Sequence, residues 1–351
     1  MKMVQAGQET IDHTAFQKLD ELPILLLNIH ENCNCRCLMC DIWKRPAGKE
    51  LDLARLREYR ESIVALHVEE VVLTGGEPLL HSNFDALCQL LKACNVKLTL
   101  LTTGLLLERR AQTVARYVDE VIVSLDGPEP VHNEIRRVRE AFSLIRKGIV
   151  ALRELSPHLP IRARSTVQRA NFSSLRQTVA AAQHLGFDSI SFLPADVSSN
   201  AFNRELIWPV ERQDQIALNR SEVEALEIEM ELLIAEYSDA IRQKYIAESP
   251  SKLRRIVRRF HEHLGDVPPE APMCNAPWVS AVVEVDGSVR PCFFHKKVGS
   301  TASHTLEDAL NSDDAREFRS TLKIAEDATC RRCVCSLNYK KPTPAGPQHT
   351  M

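Results

Sequence analysis

Residues 22–40, LPILLLNIHENCNCRCLMC, set an apolar, β-prone run directly before four cysteines, and the fold turns on how that junction is read. Leu22 to Ile29 reads as a strand and the cysteines as the loop that leaves it. Working outward, five more β-rich runs follow, Glu69 to Leu73, Lys97 to Thr102, Glu120 to Leu125, Ile161 to Val167 and Ser189 to Pro194. Between the first two, Leu56, Tyr59, Ile63 and Leu66 recur at helical spacing, and similar patterns fill Phe84 to Cys94, Val138 to Leu155 and Leu175 to Leu185. This alternation is the pattern of parallel βα units. Six units are too few for a closed eight-fold barrel. An open doubly wound sheet and a partial barrel both fit, and both place ligand sites at the C-terminal ends of the strands.

Beyond the sixth run, a long polar loop from Ala195 to Asn219 carries Asn200, Arg204 and Trp208, and is read as a substrate lid or an ordered surface loop. A helix is expected over Ser221 to Tyr245. Lys252 to His261, KLRRIVRRFH, is basic and amphipathic, a solvated helix face or a surface for an anionic partner. Proline-rich sequence from Val267 to Pro277 marks a junction. After it, Asp286-Gly287 between two β-rich runs, Val279 to Val285 and Ser288 to Phe294, signals a hairpin. A helical stretch, Thr305 to Leu322, leads to a knot of cysteines at Cys330 to Cys335. The expected division is an extension over 1–20, a core over 21–247, a linker over 248–273, a cysteine-rich domain over 274–340 and a disordered tail over 341–351.

With 351 residues and 44% apolar side chains the chain can bury a full-sized core, which excludes a disordered or fibrous protein. A net charge of −3 gives no global positive field, so no nucleic-acid partner is expected. The N-terminal MKMVQAGQETIDHTAF has no apolar core, and the nearby run Ile24 to Leu27 is far too short to span a bilayer, so a cytoplasmic protein with no membrane partner is expected. The 11 cysteines crowd into the 33–40 loop and the last quarter of the chain, which without a signal peptide favours metal ligation over disulfides. Cys88 and Cys94 do not share a helix face and are read as small core residues.

Cys33-x3-Cys37-x2-Cys40 lets three thiolates converge on one iron-sulfur cube. Three ligands for four irons leave one iron open to chelation by a small molecule. Zinc is the rival, but its sites usually pair C-x2-C arms and use four protein ligands.

These cysteines match the CxxxCxxC signature of the radical SAM superfamily, and the resemblance extends along the chain. Gly75-Gly76-Glu77-Pro78 after the second strand resembles the GGEP motif, Thr102-Thr103-Gly104 stands where relatives have TNG, and Ser124-Leu125-Asp126-Gly127 resembles the SLDG stretch. His132 and Arg136 follow at the spacing of radical SAM maturases. The resemblance covers about Leu22 to Pro194 and implies a partial (βα)6 TIM-like barrel. It further implies a [4Fe-4S] cluster on Cys33, Cys37 and Cys40 whose open iron chelates S-adenosylmethionine. Gly75, Gly76, Glu77, Pro78, Thr103, Ser124, Asp126 and Arg136 would contact that cofactor, with Glu77 fixing the charge of its amino group. Ser165 is a further candidate contact, with Arg164 and Asn171 beside it. Two departures stand out: Met39 replaces an aromatic residue common before the last cysteine, and Cys35 adds a fourth thiol, expected to point away. The implied chemistry is reductive cleavage of the sulfonium to a 5′-deoxyadenosyl radical that abstracts hydrogen, with a flavodoxin- or ferredoxin-type protein as electron donor.

In the last quarter, Cys274, Cys292, Cys330 and Cys333 can hold one auxiliary [4Fe-4S] cluster, an arrangement that resembles the twitch domain, the shortened relative of SPASM. A zinc knuckle of the same four is the alternative. Cys335 is a spare ligand, a free thiol or a catalytic hydrogen-atom donor. Relatives with a twitch domain oxidise or epimerise small molecules or mature peptides. Only about thirty residues precede Cys33, where peptide maturases carry a leader-binding domain, so a sugar- or amino-acid-like substrate is expected. Maturation of a ribosomal peptide by thioether or carbon-carbon crosslinking is the second reading, and a zinc-stabilised binding protein without activity the third.

Overall fold

The computed structural model describes residues 18–341 apart from 46, 47, 203 and 205. The expected tail beyond 341 and most of the expected extension over 1–20 lie outside the described residues. Strands and helices alternate: β1 (Ile24–His30), α1 (Leu53–Ala65), β2 (Glu70–Gly75), α2 (Phe84–Lys92), β3 (Lys97–Thr102), α3 (Leu107–Tyr117), β4 (Glu120–Ser124), α4 (Glu129–Arg136), α5 (Ala141–Leu155), β5 (Ile161–Val167), α6 (Leu175–Leu185) and β6 (Ser189–Pro194). All six strands pair in parallel and in sequence order. The order never reverses, so every crossover steps the same way. That is the topology of an unclosed barrel, since a doubly wound sheet needs a reversal.

A two-residue period sorts the side chains of β1, β2, β5 and β6. In β1, Leu25, Leu27 and Ile29 are fully buried against the helical layer, while Ile24, Leu26 and Asn28 on the other face are half-buried. Each such Leu contributes about 1.5–3 kcal/mol by leaving water. Local caps set the helix ends. Asp52 accepts from the Ala54 N–H to start α1, and Asn219 and Glu222 form a reciprocal capping box at the start of α8 (Arg220–Glu236), which follows the short α7 (Val210–Gln213).

Beyond α8 come α9 (Ser238–Arg242), α10 (Pro250–Leu264) and α11 (Ala276–Val279). The expected helix over Ser221 to Tyr245 is therefore two, meeting at Tyr237. The hairpin forms as β7 (Ser280–Val283) and β8 (Ser288–Arg290), with Gly287 at φ 85 in the turn, and a two-residue β9 (Gly299–Ser300) follows. β7 pairs in parallel with β1, so the cysteine-rich segment extends the same sheet to nine strands in the order β6-β5-β4-β3-β2-β1-β7-β8-β9.

The stretch Thr305 to Leu322 is likewise two helices, α12 (Leu306–Leu310) and α13 (Asp313–Thr321), before α14 (Ala328–Arg331). The break has a cause: Asn311 exchanges hydrogen bonds with the backbone of Leu19 at 2.7 and 3.0 Å, and the Ser312 hydroxyl caps α13. Further ties fasten the C-terminal, cysteine-rich part to the core, including Tyr59 Oη to Thr301 Oγ1 at 2.8 Å and Tyr339 Oη to Glu69 at 2.8 Å. Among the described residues, no helix is long and apolar enough to cross a membrane.

Candidate active site

The cysteine loop leaves the C-terminal end of β1 and is held by the end of α4. The last carbonyls of a helix lack partners within it, and here two are taken by the loop: Arg36 N–H donates to Arg136 O at 3.2 Å and Leu38 N–H to Ile135 O at 3.0 Å. Arg136 then turns its side chain onto the residue between them, with Nη1 3.5 Å from Cys37 Sγ and Nη2 2.6 Å from Asp126 Oδ2. Cys37 is buried, Cys33 and Cys40 half-buried. Cys35 does not point away. It is buried, and its thiol hydrogen-bonds to those of both Cys33 and Cys37, which drives its own pKa far up and pulls Cys37 down to about 6, with Arg136 adding to the fall against the cost of burial. Burial pushes Cys40 up to about 12.

The glycines of residues 75–78 are required by how closely β2 passes the loop. Gly76 N–H donates to His30 O at 2.7 Å and Glu77 N–H to Asn32 O at 2.8 Å. A Cβ at position 76 would stand 2.1 Å from Asn32 O, and Gly75 adopts φ 134. Pro78 is buried in the short 3-10 turn that follows. The fully buried Glu77 carboxylate accepts from Thr102 Oγ1 at 2.7 Å, Thr103 N at 2.7 Å and Leu79 N at 3.1 Å. Three donors of its own chain thus meet the carboxylate that the resemblance points at an amino group. Thr103 Oγ1 in turn reaches Asn34 Oδ1 at 3.0 Å, tying β3 to the cysteine loop.

At the ends of β4 and β5, Asp126 is fully buried, accepts from Thr166 N at 2.9 Å and forms an ion pair with Arg136. Its own N–H donates to His132 Nδ1 at 3.1 Å. Burial first and Arg136 second push His132 down to about 3, so the ring is neutral and carries its proton on Nε2. Asn171 bridges Asp126 O at 2.8 Å and Thr166 O at 3.1 Å. Ser124 is half-buried at the end of β4. Ser165 Oγ, His132 Nε2 and Gln168 Oε1 are buried without a hydrogen-bond partner. Buried polar atoms are rarely left so, and a polar ligand at the strand ends would answer them. Three cysteines on one loop, tied through Arg136 to the Asp126 end of β4, fit a cluster with a chelated nucleoside.

The expected lid, Ala195 to Asn219, lies on the cysteine loop. Arg204 is buried, pairs with Asp196 at 2.7 Å and donates to Met39 O at 3.3 Å, while Arg212 donates to Leu38 O. Trp208 Nε1 donates to Asp41 Oδ2 at 2.7 Å, with the Arg204 guanidinium 3.8 Å and that of Arg212 4.8 Å from its ring. At its other side Phe202 meets Phe294 edge-on at 6.3 Å, two residues from Cys292. The segment therefore touches both cysteine-bearing loops.

Cys330 and Cys333 share the turn at the end of α14, where Cys333 N–H donates to Cys330 O at 3.1 Å, and Cys274 and Cys292 lie near enough for their charges to act on both. Burial raises Cys292, Cys330 and Cys333, and the nearby thiols of the set, Cys274 among them, push each further. Cys335 lies in the field of both Cys274 and Arg164 of β5. Sequence reasoning missed His295, whose Nε2 is 3.3 Å from Cys330 Sγ, and which with Asp327 and Cys330 offers ligand atoms within 4.8 Å of one another. Its position three residues past Cys292 is the one signal that pointed to it. Arg212 was missed as well, for want of any motif.

Comparison with known proteins agrees with this geometry. The family description "Radical SAM superfamily" matches residues 27–165, and "SPASM", an iron-sulfur cluster-binding domain, matches residues 274–334. Pre-heme d1 synthase of Dinoroseobacter shibae is 28% identical over 47% of this chain and 42% of its own length. GTP 3',8-cyclase of Peptoclostridium acidaminophilum is 33% identical over 30% of this chain and 35% of its own. The chain thus spans less than half the length of these curated relatives. Native anSMEcpe with bound AdoMet and Cp18Cys peptide superposes with a TM-score of 0.63 at 18% identity, over 89% of this chain and 88% of that one, a likeness of fold.

Proposed function

Since the chain belongs to the radical SAM superfamily and carries a SPASM-type iron-sulfur domain, we propose that it oxidises or epimerises a C–H centre of a small sugar- or amino-acid-like substrate held between its two cysteine sites. It is an enzyme, and the zinc-stabilised binding protein falls away. Its cofactors are S-adenosylmethionine, a [4Fe-4S] cluster and an auxiliary cluster. When bound, they supply reductive carbon–sulfur cleavage, hydrogen-atom abstraction and a one-electron acceptor.

In this reading Cys33, Cys37 and Cys40 hold the first cluster, and Cys274, Cys292, Cys330 and Cys333 the auxiliary one. Glu77, Thr103 and the two glycines keep the β2 and β3 ends in register with the cysteine loop. Ser165, with its free buried hydroxyl, donates to the nucleoside. Cys335, in the field of Arg164 from the middle of β5, is the residue proposed to return a hydrogen atom in an epimerisation.

One observation carries the choice of a small substrate: the 195–219 segment is anchored on the cysteine loop through Arg204, Trp208 and Arg212 and reaches Phe294 beside the auxiliary set, so it narrows the space between the sites. Excluding water from that space protects a reactive intermediate. A peptide substrate is the second reading, favoured by exposed Leu206, Ile207 and Val210 on that segment. The test is to incubate reconstituted enzyme, S-adenosylmethionine and a strong reductant with separated metabolite and peptide fractions. A metabolite that loses two hydrogens, one molecule per 5′-deoxyadenosine, supports oxidation; solvent hydrogen incorporated without net oxidation supports epimerisation. Change confined to the peptide fraction refutes the small-molecule reading.

A further inference from the structure

A sulfur that ligates an iron-sulfur cluster has its electron affinity set partly by the hydrogen bonds and charges it meets. Around the first triad one such contact is built rather than incidental. Arg136 is buried, its Nη1 is 3.5 Å from Cys37 Sγ and its Nη2 2.6 Å from Asp126 Oδ2. Asp126 is fixed in turn by the Thr166 N–H at 2.9 Å. The backbone on either side of Cys37 is bound to the carbonyls of Ile135 and Arg136 itself, so sulfur and guanidinium are held against each other by two further bonds. The Arg136 Nε has no partner, so the side chain's strongest contacts are to Asp126 and Cys37 alone.

We propose that Arg136 is a positioning and charge-tuning residue for the cluster on Cys33, Cys37 and Cys40, and that it does not bind S-adenosylmethionine. The inference rests on the reading of that triad as the cluster site. A guanidinium donating to Cys37 Sγ stabilises the extra electron of the one-electron-reduced cluster and so raises its midpoint. Asp126 opposes it, since its carboxylate partly neutralises the same guanidinium. The two residues therefore pull the midpoint in opposite directions even though they form one ion pair. A scaffold role predicts no such opposition, because loosening the loop from either side acts in the same sense.

The experiment is an anaerobic redox titration of the reconstituted full chain, following the reduced-cluster electron paramagnetic resonance signal against a dithionite-set potential, alongside binding of S-adenosylmethionine by equilibrium dialysis. The auxiliary cysteines Cys274 and Cys292 are replaced by alanine in every variant so that one signal is read. Arg136→Met is expected to move the midpoint down and Asp126→Asn to move it up, with Arg136→Lys nearer the parent. For both Arg136 variants cofactor affinity should stay within about twofold. If Arg136→Met does not retain iron, Asp126→Asn decides alone, as only the charge role moves the midpoint upward. Unchanged midpoints, shifts of one sign, or a tenfold loss of cofactor affinity at an unchanged midpoint overturn the proposal. A parent protein that never shows the cluster signal sinks the underlying triad reading instead, and is told apart by its iron content.

Discussion

Replacing Glu77 by Gln asks whether this carboxylate belongs to the protein or to the ligand. Its acceptor sites serve Thr102 Oγ1, Leu79 N and, on the second oxygen, Thr103 N. Burial pushes its pKa up while the three donors pull it down. Gln keeps one carbonyl oxygen for Thr102 and Leu79 but turns an NH2 toward the Thr103 N–H. One charge-assisted bond is lost, about 1.5–3 kcal/mol, and a buried donor is left facing another donor, roughly 1–3 kcal/mol more. A total of about 3–5 kcal/mol, at about 2 °C per kcal/mol for a chain of this size, lowers the melting temperature by roughly 6–10 °C. The assay is a thermal melt of the anaerobically reconstituted protein, with cofactor binding measured well below the melt. Were the melt to move by less than about 1 °C while cofactor affinity fell about tenfold, the carboxylate would be a ligand contact and the structural reasoning would be wrong.

Four more expectations follow from named contacts. Replacing Cys274 and Cys292 together by Ala should lower iron from about eight to about four per chain while leaving 5′-deoxyadenosine formation detectable; loss of all iron would show that the two sites are not independent. Arg204→Met strands the buried Asp196 and removes the bond to Met39 O, so the melt should fall by an amount matching about 3–5 kcal/mol, and an unchanged melt counts against the anchoring role. His261 bridges Asp266 at 3.0 Å and Glu227 at 2.9 Å, and the bond to Asp266 first of all raises its pKa above 6.5. Its contribution is therefore complete below pH 6.5 and fades as pH climbs through the raised value, so His261→Gln should cost more stability at pH 6 than at pH 9; an equal cost at both excludes the charged bridge. Tyr59→Phe deletes the hydroxyl that meets Thr301, and a loss of about 1 kcal/mol in the melt is expected, none if that contact is incidental.

The six core strands were readable because each is a short β-rich apolar run set between helical stretches, and their boundaries differ from the structure by at most two residues at any end. Two core helices were not. In α3 only Leu107, Ala111 and Val114 are buried, a thin stripe among arginines. In α4 the buried positions are His132, Ile135 and Arg136, so most of its inward face is polar and no apolar period exists to detect. The same polarity explains why Arg136 could be located by spacing but not given its partner: that Cys37 is its neighbour follows from the docking of α4 on the loop, a tertiary fact. Cys35 was misjudged because a three-residue span of loop has no period, and only the fold decides where its thiol turns. The joining of β7 to β1 was equally out of reach, since an Asp-Gly hairpin announces its own two strands and not the edge on which they settle.

That joining has a mechanical consequence. β1 is flanked by β2 on one side and β7 on the other, and it is the strand from which the Cys33 loop springs. A strand held on both edges cannot be peeled away without breaking hydrogen bonds to both halves of the molecule. Separating the C-terminal cysteine set from the rest thus means stripping one edge of the very strand that carries the first set. Deletion from the C-terminus should accordingly disable the N-terminal cysteine loop long before it removes any residue of that loop.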